Sequence, residues 1–274
     1  MKTFGDIQDC MTAITSVLVS YPNISVMVGN RDINKWQQLL VASSGFEGYL
    51  TSAPTFNLLN VLASAAVERR QNLMPGTSNT ILNNLEQWLR FFPQLLKDRP
   101  FKGKIKNLDK DNFLSTMSEL SLAALLLNQG FKVKFEHKFR LVLDGGNRDV
   151  DLTIEDNNGI IVHIEVYGPT IAAENGFLAP TEHHEPFQHK VDLKVKDKFG
   201  AGRVAGLNGK VLLAVDTTKV DAFSIADRLF GANREKLYQQ MAANLPVAVD
   251  GILFFQTHVT LNPGFIFEKL ILKA

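Results

Sequence analysis

The sequence predicts an α/β fold, a mixed central sheet flanked by helices, preceded by an all-helical N-terminal domain. Three observations predict it: apolar residues at helical spacing through the first hundred positions, a change after Lys110 to alternating helix and strand patterns, and turn-forming residues at the changes. Residues 1–108 are thus expected to form a helical domain and 109–274 the α/β domain.

In the first part, Ile33, Trp36, Leu39 and Leu40 mark one helix and the run Phe56 to Val67 another. A third begins near Ser78 or Asn79, which suit an N-cap, turns Ile81, Leu82, Leu85, Trp88, Leu89 and Phe92 inward, and is kinked or ended by Pro93. Asp98 to Lys110, with Pro, Gly and alternating lysines, reads as a linker. Asp111 can cap a helix running to about Gln129 and stopping at Gly130. Strands follow at Lys132–Lys138, Val150–Glu155 and Ile160–Tyr167, the last two forming a hairpin. A Lys-rich helix covers about Glu185–Phe199, Val211–Val215 is a buried strand, Ile225–Asn244 a helix, Ile252–Gln256 a strand, and Phe265–Leu272 can close the sheet.

Composition narrows the function. No apolar stretch approaches the ~20 residues of a membrane-spanning helix and no signal pattern opens the chain, so a cytoplasmic protein without membrane contact is expected. The single cysteine, Cys10, excludes an internal disulfide and a thiolate metal site and fits a small core residue. A net charge of +1 gives no general basic excess, so any nucleic-acid contact must be local. Positive charge concentrates at Lys97, Arg99, Lys102, Lys104, Lys106 and Lys110, and again at Lys190, Lys194, Lys196, Lys198 and Arg203; a solvated face explains either cluster as well.

The segment RDVDLTIEDNNGIIVHIEVYGP carries the chemistry. Val150, Leu152 and Ile154 alternate with Asp149, Asp151 and Thr153, and Val162, Ile164 and Val166 alternate with His163, Glu165 and Tyr167. A two-residue turn at Asn158-Gly159 would put Asp151 and Glu165 on opposite faces. A three-residue loop, Asn157-Asn158-Gly159 with a left-handed glycine, instead sets Asp151 directly across from Glu165. Carboxylates that close repel unless a cation or proton lies between them, and oxygen-only ligands suit Mg²⁺, with Mn²⁺ as substitute. Glu119 is the one carboxylate within the preceding helix; its alternative is a capping box with Thr116, misplaced at mid-helix.

A helix bearing Glu119, a strand, Asp151, a hairpin and Glu165-Val166-Tyr167 together resemble the PD-(D/E)XK, or restriction-endonuclease-like, nuclease superfamily over about the last 165 residues. The resemblance implies a Mg²⁺-dependent nuclease, in which Asp151 and Glu165 hold the metal, Glu119 assists, and a lysine orients or activates the attacking water. Tyr167 stands where that lysine is usual. Some members carry it on the following helix, where Lys190, Lys194 and Lys198 recur at i, i+4 and i+8 on one face; Lys194 and Lys198 are the candidates. DNA is the expected substrate ahead of RNA, a restriction or defence role is one setting, and a homodimer is allowed. The rival readings are a decayed site that binds nucleic acid or a protein, and an unrelated α/β domain with ordinary surface acids.

Other patterns are set aside. Gly200-x-Gly202-x-x-Ala205 follows a helix and precedes a strand, the reverse of a dinucleotide site, and Gly209-Lys210 lacks the spacing of a P-loop. His183, His184 and His189 lack zinc-ligand spacing. His163 shares the Glu165 face, as a structural histidine or as a contact to the metal's ligands.

Overall fold

Short polar side chains, Asp6, Asn57 and Asp98, cap three helix starts in the first part, whereas the helix expected to be capped at Ser78 or Asn79 begins at Thr77 behind Gly76 with no side-chain cap. Asp6 accepts the backbone N–H of Asp9 (2.8 Å) at the head of α1 (Ile7–Val19), which buries Cys10, Met11, Ile14, Val17 and Leu18. A short α2 (Pro22–Met27) has no side-chain cap of its own; Glu86, buried on α6 (Thr77–Phe91), accepts the N–H groups of Asn23 (3.0 Å) and Ile24 (3.1 Å) instead. α3 (Asn30–Ala42) turns Trp36 and Leu40 inward, α4 is Phe46–Ser52, and α5 (Leu58–Arg70), capped by Asn57, is buried along most of its length. Pro93 ends α6 and opens a short 3₁₀ turn, Pro93–Leu96.

The computed structural model describes residues 4–52, 57–71, 76–108, 112–140, 147–168, 191, 193–194, 196–199, 207–217, 231–232, 234–245, 248–257 and 265–273. They divide into two compact units, one up to Ser121 and one from Leu122 onward. The segment expected to link two domains is instead a helix of the first unit. α7 (Arg99–Lys106) is capped by Asp98, whose carboxylate accepts the Phe101 N–H (2.8 Å), and buries Phe101 and Ile105. Asp98 followed two residues later by Pro100 is a helix start, with the proline in the first turn where its missing N–H costs nothing.

α8 (Asn112–Asn128) ends as the glycine requires: Gly130 has φ +93°, and the N–H groups of Gly130 and Phe131 close on the carbonyls of Leu127 and Leu126. Among the described residues six strands then form one sheet in chain order: β1 (Lys132–Arg140), β2 (Asn147–Glu155), β3 (Ile161–Tyr167), β4 (Lys210–Asp216), β5 (Gly251–Thr257) and β6 (Phe265–Leu272). β1 to β3 and β5 to β6 pair antiparallel, while β3, β4 and β5 run parallel. The sheet is therefore mixed, as the element pattern predicts. Of the Lys-rich helix, here α9, residues 191, 193, 194 and 196–199 are described and helical; α10 is Arg234–Asn244. Val191 and Phe199 of α9 and Met241 of α10 share a core with Val211, Leu213 and Val215 of β4 and with Ile252 and Phe254 of β5. No helix among the described residues is long and apolar enough to cross a membrane.

Candidate active site

The β2–β3 turn decides which side chains meet. Asp156 and Ile160 close it, with the Asp156 N–H donating to the Ile160 carbonyl (3.1 Å) and the Ile160 N–H to Asp156 Oδ1 (2.7 Å). Three residues remain in the loop, the third being Gly159 at φ +78°. The ladder pairs Glu155 with Ile161, Ile154 with Val162, Thr153 with His163 and Leu152 with Ile164. One step further the register opposes Asp151 to Glu165. There regular pairing gives way to a side-chain bond: Asp151 Oδ2 accepts the Val166 N–H at 2.8 Å. Of the alternation expected of β2, Val150, Leu152 and Ile154 are buried and Asp149 is exposed, but Thr153 on the carboxylate face is buried as well.

Glu165 is only 2% exposed, and α9 supplies its counter-charges. Lys194 Nζ lies 3.0 Å from Glu165 Oε1 and Lys198 Nζ 2.9 Å from Oε2. Oε2 makes no hydrogen bond among the described residues despite that proximity, so the Lys198 contact is an ion pair without hydrogen-bond alignment. Burial works against the charge on Lys194, but Glu165, with Asp151 and Tyr167 adding to it, outweighs burial and holds its pKa above the usual 10.5. The Lys194 ammonium also stands 5.5 Å from the centre of the Tyr167 ring. Burial pushes the Tyr167 phenol up, with Lys194 pulling partly back, so the hydroxyl stays protonated at neutral pH.

The structure thus brings Asp151, Glu165, Lys194 and Lys198 into one neighbourhood of the second unit. Glu119 lies on α8 within the first unit, nearly buried, with Lys104 Nζ 3.7 Å from its Oε2. His163 is a satisfied structural residue: Nδ1 faces Thr153 Oγ1 at 2.9 Å and Nε2 faces the Asn208 carbonyl at 3.0 Å, so the ring carries its proton on Nε2 and accepts from the threonine. Sequence reasoning missed Asp151 capping a backbone N–H and Asn208 receiving His163; neither has a local pattern, because each partner comes from a distant part of the chain. Among the described residues no three or more His, Cys, Asp or Glu side chains gather as a metal site. Lys190, Arg203, the histidines 183, 184 and 189 and the glycines 200 and 202 lie outside the described residues.

No known protein family and no solved structure matches the chain. Over 130 residues, 47% of its length, it is similar at 28% identity to the alanine–tRNA ligase of Sulfurisphaera tokodaii, of which the match spans 14%. The chain therefore covers a small part of that relative's length.

Proposed function

We propose that the second unit has a restriction-endonuclease-like core and hydrolyses phosphodiester bonds with a divalent metal, DNA being the expected substrate. The observation that carries the reading is the buried Glu165, beside Asp151 in the register and met by two lysines of the following helix. The donor set fits a hard cation such as Mg²⁺: Asp151 and Glu165 offer carboxylate oxygens, and Glu165 Oε2 is buried without a hydrogen bond. When bound, the metal would polarise the phosphodiester and make a water more acidic.

The chain's own residues do the rest. Asp151 is held in place by the Val166 N–H, which fixes one oxygen and so the direction of the other. Lys194 and Lys198 present two ammoniums at the carboxylate, placed to orient the attacking water or to offset charge that develops on the phosphate. Tyr167 cannot take the lysine's part as a base, because its phenol titrates too high, but its ring braces Lys194.

One observation favours a second reading, an inactive module that binds nucleic acid or a protein: the lysines already balance the charge of Glu165 without a metal. Metal binding separates the two. Mn²⁺ titration followed by electron paramagnetic resonance should show a site in the wild type that Asp151→Asn weakens strongly, the amide oxygen still accepting the Val166 N–H. Identical Mn²⁺ binding by both proteins would defeat the assignment. The likeness to an alanine–tRNA ligase is partial and concerns a protein named for an RNA, so RNA is assayed beside DNA.

A further inference from the structure

The strand registers set side chains in rows across the face that carries Glu165. Lys134 pairs with Thr153 and Thr153 with His163, forming one row; Lys132, Glu155 and Ile161 form the next. Residues two apart along a strand share a face and lie about 6.7 Å apart. The Lys134–Thr153–His163 row is thus the immediate neighbour of Asp151 and Glu165. A cavity of about 250 Å³ opens over both rows and is lined also by Ile154 and Asn208.

Its charges are unevenly used. Lys132 Nζ is engaged with Glu155 Oε1 at 2.7 Å. Lys134 is exposed and makes no hydrogen bond or ion pair among the described residues. Below it the floor is rigid and polar, since Thr153 and His163 are both buried and locked to each other and to Asn208. Two ammoniums against one carboxylate leave the cavity net positive, one residue row from a carboxylate pair. Lys134, whose charge acts on Glu155 through space but which holds no hydrogen bond or ion pair among the described residues, stands over a polar floor and suits an anion that arrives with the substrate.

We propose that this cavity is a backbone-phosphate subsite for nucleic acid, in which Lys134 holds the phosphate next to the one that faces Asp151 and Glu165. The proposal rests on the nuclease reading for its substrate class and goes beyond it in assigning a second contact and a direction: the strand runs along β2 and β3 from the carboxylates toward the turn at Gly159. Phosphate contacts set position and carry no sequence information, so the subsite fixes where the chain is presented and not which bases are chosen.

The test is equilibrium binding of a fluorescein-labelled DNA duplex and a labelled single strand, in EDTA so that nothing is cut, over a range of salt concentrations. Losing one phosphate contact should lower the slope of log K against log salt by about 0.9 on duplex and about 0.7 on single strand, whatever the sequence. Lys134→Ala is expected to show this change and Lys134→Arg to restore the slope. Lys236→Ala, at an exposed position on α10, should leave it unchanged. Parallel Mg²⁺ cleavage assays keep the two claims apart. A Lys134→Ala slope equal to wild type, in a protein that cleaves, overturns the subsite and spares the nuclease reading; a reduced slope in a protein that binds but never cleaves supports the subsite and removes the nuclease reading. A wild type that binds no nucleic acid overturns both. Inorganic phosphate binding that Lys134→Ala abolishes, with DNA binding unaltered, would replace the subsite with a small-anion site.

Discussion

At the scale of single residues, Glu165 is buried between two counter-charges, which the proposed mechanism makes redundant for folding but not for turnover. Removing either one leaves a counter-charge on Glu165, so Lys194→Ala and Lys198→Ala should each keep the fold while turnover falls roughly 10²–10³-fold, the cost of one preorganised electrostatic donor. The double variant leaves the carboxylate buried alone and should lose about 3–5 kcal/mol of stability in urea unfolding. Wild-type turnover in both single variants would remove the lysines from the mechanism. Tyr167→Phe keeps the ring beside Lys194 and is expected to retain activity. The opposition of the two carboxylates was legible because alternation and turn length are local; the lysines were reached through the family resemblance, their i, i+4 spacing fixing only a shared helix face. The Val166 cap on Asp151 was not legible, because backbone donors leave no mark in a sequence.

At the scale of elements, the hairpin turn is the part whose prediction depends most on one residue. Gly159 has φ +78° with open space around its α-carbon, so Gly159→Ala should cost about 1–2 kcal/mol through backbone strain alone, and Gly159→Asn less. Gly209→Ala should cost more: it too has positive φ, +123°, and an added Cβ would stand 2.5 Å from the Ile161 carbonyl oxygen where β3 and β4 begin to pair. Urea midpoints for the three variants check the order, and a Gly209→Ala milder than Gly159→Ala would contradict it. α7 shows the opposite case for sequence reading. Pro100 and Gly103 read as a break, yet Asp98 with a first-turn proline begins a helix, which buries Phe101 and Ile105 and packs on α5 and the preceding 3₁₀ turn.

At the scale of the whole chain, a net charge of +1 is compatible with a charged site that is local, since Glu165 is met by Lys194 and Lys198 at one point of the second unit and no general basic excess accompanies them. The first unit supplies its own probe. Burial pushes the Cys10 thiol to about 11, with Asp9 and Glu47 adding to it, so native Cys10 should resist a thiol reagent at pH 8 and react fully once the helices unfold. Rapid labelling under native conditions would contradict the packing of α1. The central claim concerns the second unit and is tested most directly by Mg²⁺-dependent cleavage of a mixed DNA and RNA panel. Wild type is compared with Asp151→Asn and with Asp149→Asn, which alters an exposed acid of the same strand. The account predicts cleavage by wild type and Asp149→Asn and none by a folded Asp151→Asn; cleavage by Asp151→Asn at the wild-type rate would contradict it.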